Sequence, residues 1–238
     1  MASRAELLEA ARAPRIGSVV RAALSDFYFN SGPLVGANAL WGVAVVGVLL
    51  VWLMSPPLAL LLTPLLAFPT VGVFRVAARI VRNDGHIWFG DALAAFRDYA
   101  KPALLLGLAL VAGALVLGTN AVVGLSGSEP AGWFVGTIAS WSLIVLWCAA
   151  IVAWPLLVDP VRADRSLGTR LRLAGLLLLA NPGRLALLGL LVAVIATVST
   201  ILLAAILTIS LSFIALITCR YVYAVADRVE ARSLGPGE

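Results

Sequence analysis

The sequence predicts an all-α protein: a polytopic transmembrane helical bundle of six spans, with short amphipathic helices on the cytoplasmic side. Three observations carry that prediction. Of 238 residues, 62% are hydrophobic and 12% charged, whereas a soluble domain carries about 25% charge and roughly 45–50% apolar residues; mean hydropathy is +1.04. The charges are segregated, since Phe27–Phe74, Pro102–Ser128, Pro130–Val158 and Leu185–Cys219 contain no Asp, Glu, Lys or Arg. Threaded six times, the chain also puts every basic residue on one side. A disordered chain, a soluble α/β enzyme, a coiled coil and a disulfide scaffold are all excluded.

Crossing a hydrocarbon core of roughly 30 Å takes about 20 apolar residues. Phe27–Phe74 is too long for one span and is broken by Ser55-Pro56-Pro57, which gives spans over 35–54 and 58–74. Spans three and four follow over 103–124 and 132–154, joined by Ser126-Gly127-Ser128-Glu129-Pro130. As one helix, Leu185–Cys219 would be about 52 Å long at ~1.5 Å per residue, more than tilting absorbs. It is therefore divided into spans over 185–203 and 207–225 by a turn near Leu203–Leu207, which no Gly or Pro marks. The six-span membrane domain is then 35–226, after a cytoplasmic interfacial segment over 1–34 and before a cytoplasmic tail over 227–238. Span one begins too late for a cleavable leader and lacks a small-x-small cleavage site, so it is expected to act as its own insertion signal.

Positive charge orients the bundle. The N-terminal segment holds Arg4, Arg12, Arg15 and Arg21, and the loop between spans two and three holds Arg75, Arg79, Arg82, Arg97 and Lys101. The loop between spans four and five holds Arg162, Arg165, Arg170, Arg172 and Arg184, and the tail holds Arg220, Arg228 and Arg232. These are all 17 basic residues of the chain, and the opposite side carries only Glu129. Cytoplasmic loops hold the excess Lys and Arg, so both termini are expected in the cytoplasm. Contact with anionic lipid accounts for the net charge of +5 without a nucleic-acid partner.

Three of the cytoplasmic segments show an apolar stripe at helical spacing. Ile16, Val19, Val20, Ala23, Leu24 and Phe27 form one before span one, read as a helix lying on the inner interface. Phe89, Ala92, Leu93, Phe96 and Ala100 form the second, after an Asn83-Asp84-Gly85 turn. Leu167, Leu171, Ala174 and Leu178 form the third. The second and third each run through a proline, Pro102 or Pro182, into a Leu- and Gly-rich span. Two readings stand: a parallel duplication, or the ordinary use of proline to open helices.

Candidate sites are few. Proton relays and ion sites keep an ionisable residue within the membrane, and none lies deep in these spans; Arg75, Asp159 and Arg220 sit at inner ends, where they are expected to snorkel. Span two is irregular. Pro64 and Pro69 each remove an amide and free a carbonyl four residues back, with Thr63 and Thr70 beside them, so the broken helix is a candidate hinge or solute contact. Asn38, at the start of span one, is a further candidate, with interhelical hydrogen bonding as the default. Gly132, Gly136 and Ser140 form a small-residue step for close helix packing, internal or in a dimer seam. Trp141 and Trp147 lie deep in span four and are expected to pack in the bundle. His86 is the only histidine and the two cysteines are Cys148 and Cys219, so no metal site, cofactor site or catalytic set is predicted. GxSxG and GxxxxGK[ST] are both missing.

Four short motifs recur in a recognisable order: Asn38-Ala39-Leu40-Trp41, Phe68-Pro69-Thr70-Val71-Gly72, Phe96-Arg97-Asp98-Tyr99 and Ala180-Asn181-Pro182. Together they resemble the YesL-like family of bacterial integral membrane proteins, over roughly Phe27 to Ala226. The chain departs from that family in its loops, with one Lys against sixteen Arg. The resemblance implies a bacterial plasma-membrane protein. The family has no established biochemical activity, so it supplies no functional residues; some members resemble accessory products encoded beside carbohydrate uptake and degradation systems. The reading that follows is a non-catalytic accessory or partner-binding component, in contact with membrane lipid and with a sugar-transport complex as partner. The alternative is a transporter or channel for a neutral solute that uses the broken second span.

Reporter fusions after Arg97 and after Arg170 are expected to be active in their cytoplasmic form; an extracytoplasmic signal at either position would overturn the threading.

Overall fold

The computed structural model describes residues 14–202, 205 and 208–233. The chain forms α1 (Ile16–Phe29), α2 (Ser31–Met54) and α3 (Pro56–Leu62), then a 3-10 turn (Thr63–Leu66) leading into α4 (Ala67–Arg82). There follow α5 (Gly90–Asp98), α6 (Ala100–Ser126) and α7 (Pro130–Val158), a 3-10 turn (Pro160–Arg162), α8 (Leu167–Ala180), α9 (Pro182–Ile201) and α10 (Ser210–Ser233). Among the described residues no strand occurs.

Six helical segments are long and apolar enough to cross a membrane: Ser31–Met54, Pro56–Arg82, Ala100–Ser126, Pro130–Val158, Pro182–Ile201 and Ser210–Ala231. Five begin two to four residues before the spans read from sequence, because Ser31, Pro56, Pro130 and Pro182 open them or the previous helix feeds directly in. Proline suits the first turn, where its missing N–H would have had no partner. The turn placed near Leu203–Leu207 falls largely on residues 203, 204, 206 and 207, outside the described set; around it, α9 ends at Ile201 and α10 starts at Ser210.

Two segments carry more structure than the sequence reading gave them. The stretch read as a cytoplasmic tail from residue 227 continues α10 as helix to Ser233, because Asp227 and Glu230 are held by arginines from the span-four end. The stripe before span one does not stand apart either: α1 joins the bundle, with Val19 and Ala23 buried in the core, Phe27 edge-on to Phe213 and Asp26 paired with Arg220 at 2.5 Å.

The core gathers around α4, the C-terminal half of α7 and α10, whose Val71, Val73, Ala77, Val152, Leu156, Leu216 and Ile217 are fully enclosed. Spans one and three are the least buried, and their exposed faces carry Val43, Leu49, Leu53, Leu115, Val116 and Val122. Such faces meet lipid in a spanning protein, where association between helices rests on close packing of small residues. The α6–α7 hairpin shows this best. A Cβ at Gly124 would lie 2.5 Å from the Gly132 carbonyl oxygen and 2.6 Å from the Gly136 nitrogen, and one at Gly136 would lie 2.8 Å from the Leu125 nitrogen. The small-residue step thus seats Gly124 of the preceding span against Gly132 and Gly136, and Ser140 turns its hydroxyl onto the Gly136 carbonyl at 2.8 Å. Trp141 faces outward, 65% exposed among the described residues, rather than packing in the bundle.

Gly124→Ala pushes a methyl into the α7 backbone at Gly132 and Gly136 and is expected to cost about 1–3 kcal/mol, read as a lowered thermal unfolding midpoint in detergent. Gly118→Ala, on the same helix with nothing within 4 Å, should be neutral or slightly stabilising.

Candidate functional site

The most elaborate side-chain constellation lies where the arginine-bearing ends of spans two, four and six meet. Arg82 closes α4, and α7 ends at Val158, so Asp159 and the Pro160–Arg162 turn project from it. Asp159 first serves its own backbone, accepting from the Val161 amide at 3.2 Å. Its carboxylate then receives Arg82 through two nitrogens, Nε at 3.1 Å and Nη2 at 2.8 Å, and also the Nη1 of Arg162. Arg82 goes on to Asp227 at 2.7 Å, and Arg162 to Asp227 at 2.7 Å and Glu230 at 2.9 Å. Arg165 reaches Glu230 at 2.5 Å. Three guanidinium groups face three carboxylates, so the cluster is electrically neutral.

Asp159 and Arg162 are fully enclosed, with 0% exposure. Burial alone would pull the Arg162 guanidinium toward neutrality, but hydrogen bonds to Glu230 and Asp227 and the charge of Asp159 outweigh it and hold its pKa above the ordinary arginine value. The Tyr223 ring lies 4.5 Å from the Arg82 guanidinium and its hydroxyl donates to the Pro155 carbonyl at 2.9 Å. Every acid in the cluster is committed to a guanidinium. Chemically the arrangement is a clamp.

Arg75 and Arg170 flank the same end of α7 and bond its last carbonyls: Arg75 to Val158 at 3.1 Å, and Arg170 to Leu157. Carbonyls of a helix's last turn have no partner within the helix, and cations suit that end of the dipole. Arg75, Asp159 and Arg220, read from sequence as able to snorkel, are each engaged within the protein. The apolar face of α8 is also turned, burying Leu173, Ala174 and Leu177 beside Arg170 and leaving Leu171 41% exposed. The leucines at 176–179 let the helix roll, and the carbonyls that Arg170 binds decide where it stops.

The residues singled out in sequence separate into three groups. Asn38 is buried and its Oδ1 accepts from the Ser212 amide at 2.9 Å, while the Ser212 hydroxyl donates to the Leu34 carbonyl at 2.7 Å. Span one thereby caps the first turn of α10, whose amides would otherwise face an apolar medium. Around the break in span two, Thr63 donates to the Ala59 carbonyl at 2.9 Å and Thr70 to the Leu66 carbonyl at 2.7 Å. Pro64 and Pro69 are buried, and a Cβ at Gly107 would lie 2.8 Å from that of Ala67 and 3.3 Å from the Pro64 carbonyl oxygen. The break is filled by span three. Gly132, Gly136 and Ser140 belong to the α6–α7 contact described above.

Two of these line cavities: Gly132 borders an open one of about 540 Å³ beside the Ser126–Pro130 turn, and Thr70 borders an aromatic one. About 260 Å³ opens between Trp41, Thr70, Phe74, Trp147, Trp154 and Thr218. Four of its polar side chains are engaged: Trp41 Nε1 donates to Thr70 at 3.1 Å, Thr70 to the Leu66 carbonyl at 2.7 Å, Trp147 Nε1 to the Gly189 carbonyl at 3.1 Å, and Thr218 to the Ile214 carbonyl at 2.8 Å. What it offers an occupant is apolar and aromatic surface. Among the described residues no group of three or more His, Cys, Asp or Glu is arranged to hold a metal ion.

Sequence reading missed the clamp because its members come from separate segments, although spacing gave a sign. Asp159/Arg162, Arg162/Arg165 and Asp227/Glu230 are each three apart, the separation that brings side chains to one helical face. Comparison with protein-family models, with curated proteins and with solved structures gives no match.

Asp159→Asn leaves Arg162 buried without its nearest counter-charge and is expected to destabilise the protein by about 3–5 kcal/mol. Arg165→Gln, at the exposed rim, should cost no more than about 1 kcal/mol. Thermal or denaturant unfolding of both variants in detergent tests the contrast.

Proposed function

We propose that this chain is a non-catalytic integral membrane protein of a bacterial plasma membrane, with both termini cytoplasmic, acting as an accessory component bound to a partner. The observation that carries this reading is the closed break in span two. The broken span has its hydroxyls turned onto its own Ala59 and Leu66 carbonyls and its proline step packed against Gly107, so protein rather than open space lies against the break. The ionisable residues support it as well, since the buried acids are held in a neutral clamp. The partner class, a carbohydrate-uptake complex, rests on the four motifs that resemble the YesL-like proteins. The orientation rests on the positive-inside rule.

One observation favours the second reading, a carrier for a neutral solute: Thr70 of the broken span borders the tryptophan-lined cavity. That lining suits an apolar solute far better than a sugar, whose hydroxyls need partners.

Purification of the tagged protein from native membranes is expected to recover sugar-permease subunits above the level of an unrelated six-span control, and their absence would count against the accessory reading. In proteoliposomes, flux of neutral solutes should match empty vesicles, and Pro64→Ala and Pro69→Ala should not change it; flux that either variant alters would favour the carrier.

A further inference from the structure

Another cavity lies at the arginine-bearing end, away from the tryptophan-lined one. About 280 Å³ opens between the α5–α6 corner, with Asp98 and Tyr99, and the segment after α7, with Ala163, Arg165 and Arg170. At ~30 Å³ per molecule it has room for roughly nine waters, enough for a tetrahedral oxyanion.

Its wall carries an unusual charge. Arg170 is only 7% exposed, and its donors go to carbonyls alone: Nε to Arg165 at 3.0 Å, Nη2 to Ala163 at 2.7 Å, and Nη1 to Leu157. Among the described residues no carboxylate lies within ion-pair distance of it. Arg75 stands behind Tyr99, 5.7 Å from the ring, likewise bonded to a carbonyl. Carbonyl dipoles orient a buried guanidinium but leave its net charge uncompensated, and a buried charge is stable when an opposite charge meets it. Arg165 adds a second cation at the mouth, shared with Glu230, while Asp98 sits on the exposed rim. Capping of the α7 carbonyls explains why Arg170 is placed there. It does not explain why a deeply buried arginine with no acid among the described residues borders an open cavity.

We infer that this cavity binds a phosphate group, held by Arg165 and Arg170 with Asp98 as a rim charge that opposes it. Guanidinium groups match the oxygen geometry of phosphate. The group could come from an anionic lipid headgroup, which is concentrated at a basic membrane face, or from a free phosphate compound, and the experiment separates the two.

The full-length protein in neutral detergent is titrated with inorganic phosphate, with chloride at matched ionic strength as control, and binding is followed by tryptophan fluorescence and thermal shift. In parallel, the protein in nanodiscs of phosphatidylcholine with increasing phosphatidylglycerol is scored for retained lipid by native mass spectrometry. Saturable binding in the first arm assigns the site to a soluble phosphate. Retention of phosphatidylglycerol over phosphatidylcholine, without the first, assigns it to a headgroup. In either arm Arg165→Gln is expected to weaken binding about tenfold, the scale of one charged hydrogen bond. Asp98→Asn, an exposed change that leaves the fold intact, should tighten it a few-fold. Neither phosphate nor phosphatidylglycerol binding above its control would overturn the proposal, as would binding that neither variant alters.

Discussion

The carboxylate of Asp159 has no exposed surface and is held by two arginines from different parts of the chain. Arg82 brings the end of span two, Arg162 comes from the turn after span four, and both pass their remaining donors to Asp227 and Glu230 on span six. Three helices that lipid alone would leave free to slide are thereby fixed in register. Hydrocarbon gives spanning helices little reason to prefer one another. At the membrane's edge, charge supplies the preference, and enclosure makes it strict: an ion pair removed from water is only marginally stabilising as a whole, yet very costly to break in half. The packing of Val71, Val152 and Leu216 in the layer above presupposes that register.

The same economy governs polar groups deeper in the bundle. Asn38 satisfies the start of α10, Thr63 and Thr70 satisfy carbonyls of their own span, and Trp147 bonds the Gly189 carbonyl. Each of these side chains could have served a ligand, and each serves a neighbouring backbone. One buried exception stands out among the described residues, the Tyr221 hydroxyl, which has no partner.

How far the sequence could be read follows from what kind of signal each feature leaves. Spans are legible because apolar length is a local property, and the sidedness of the arginines is legible because it needs only counting. The loop helices were visible as stripes, but their exact faces were not: on α8 the buried side is chosen by carbonyls that Arg170 finds outside its own helix. The continuation of α10 past residue 226 was hidden for a similar reason. Its polar last turns look like a tail until Arg162, 65 and 68 residues away, is known to hold them. The candidate residues of span two were located by proline spacing, and only the approach of Gly107 from another span shows that their break is filled.

The glycine seam between α6 and α7 bears on how the molecule is assembled. Gly124, Gly132 and Gly136 are neighbours along the chain as well as in space, so this pair of helices can zip together as soon as both have left the ribosome. Arg162 has no such independence, because two of its acids are synthesised with the last helix. Assembly in chain order would thus give an early, self-sufficient hairpin and a late latch, with Arg162 holding Asp159 alone until Asp227 and Glu230 arrive.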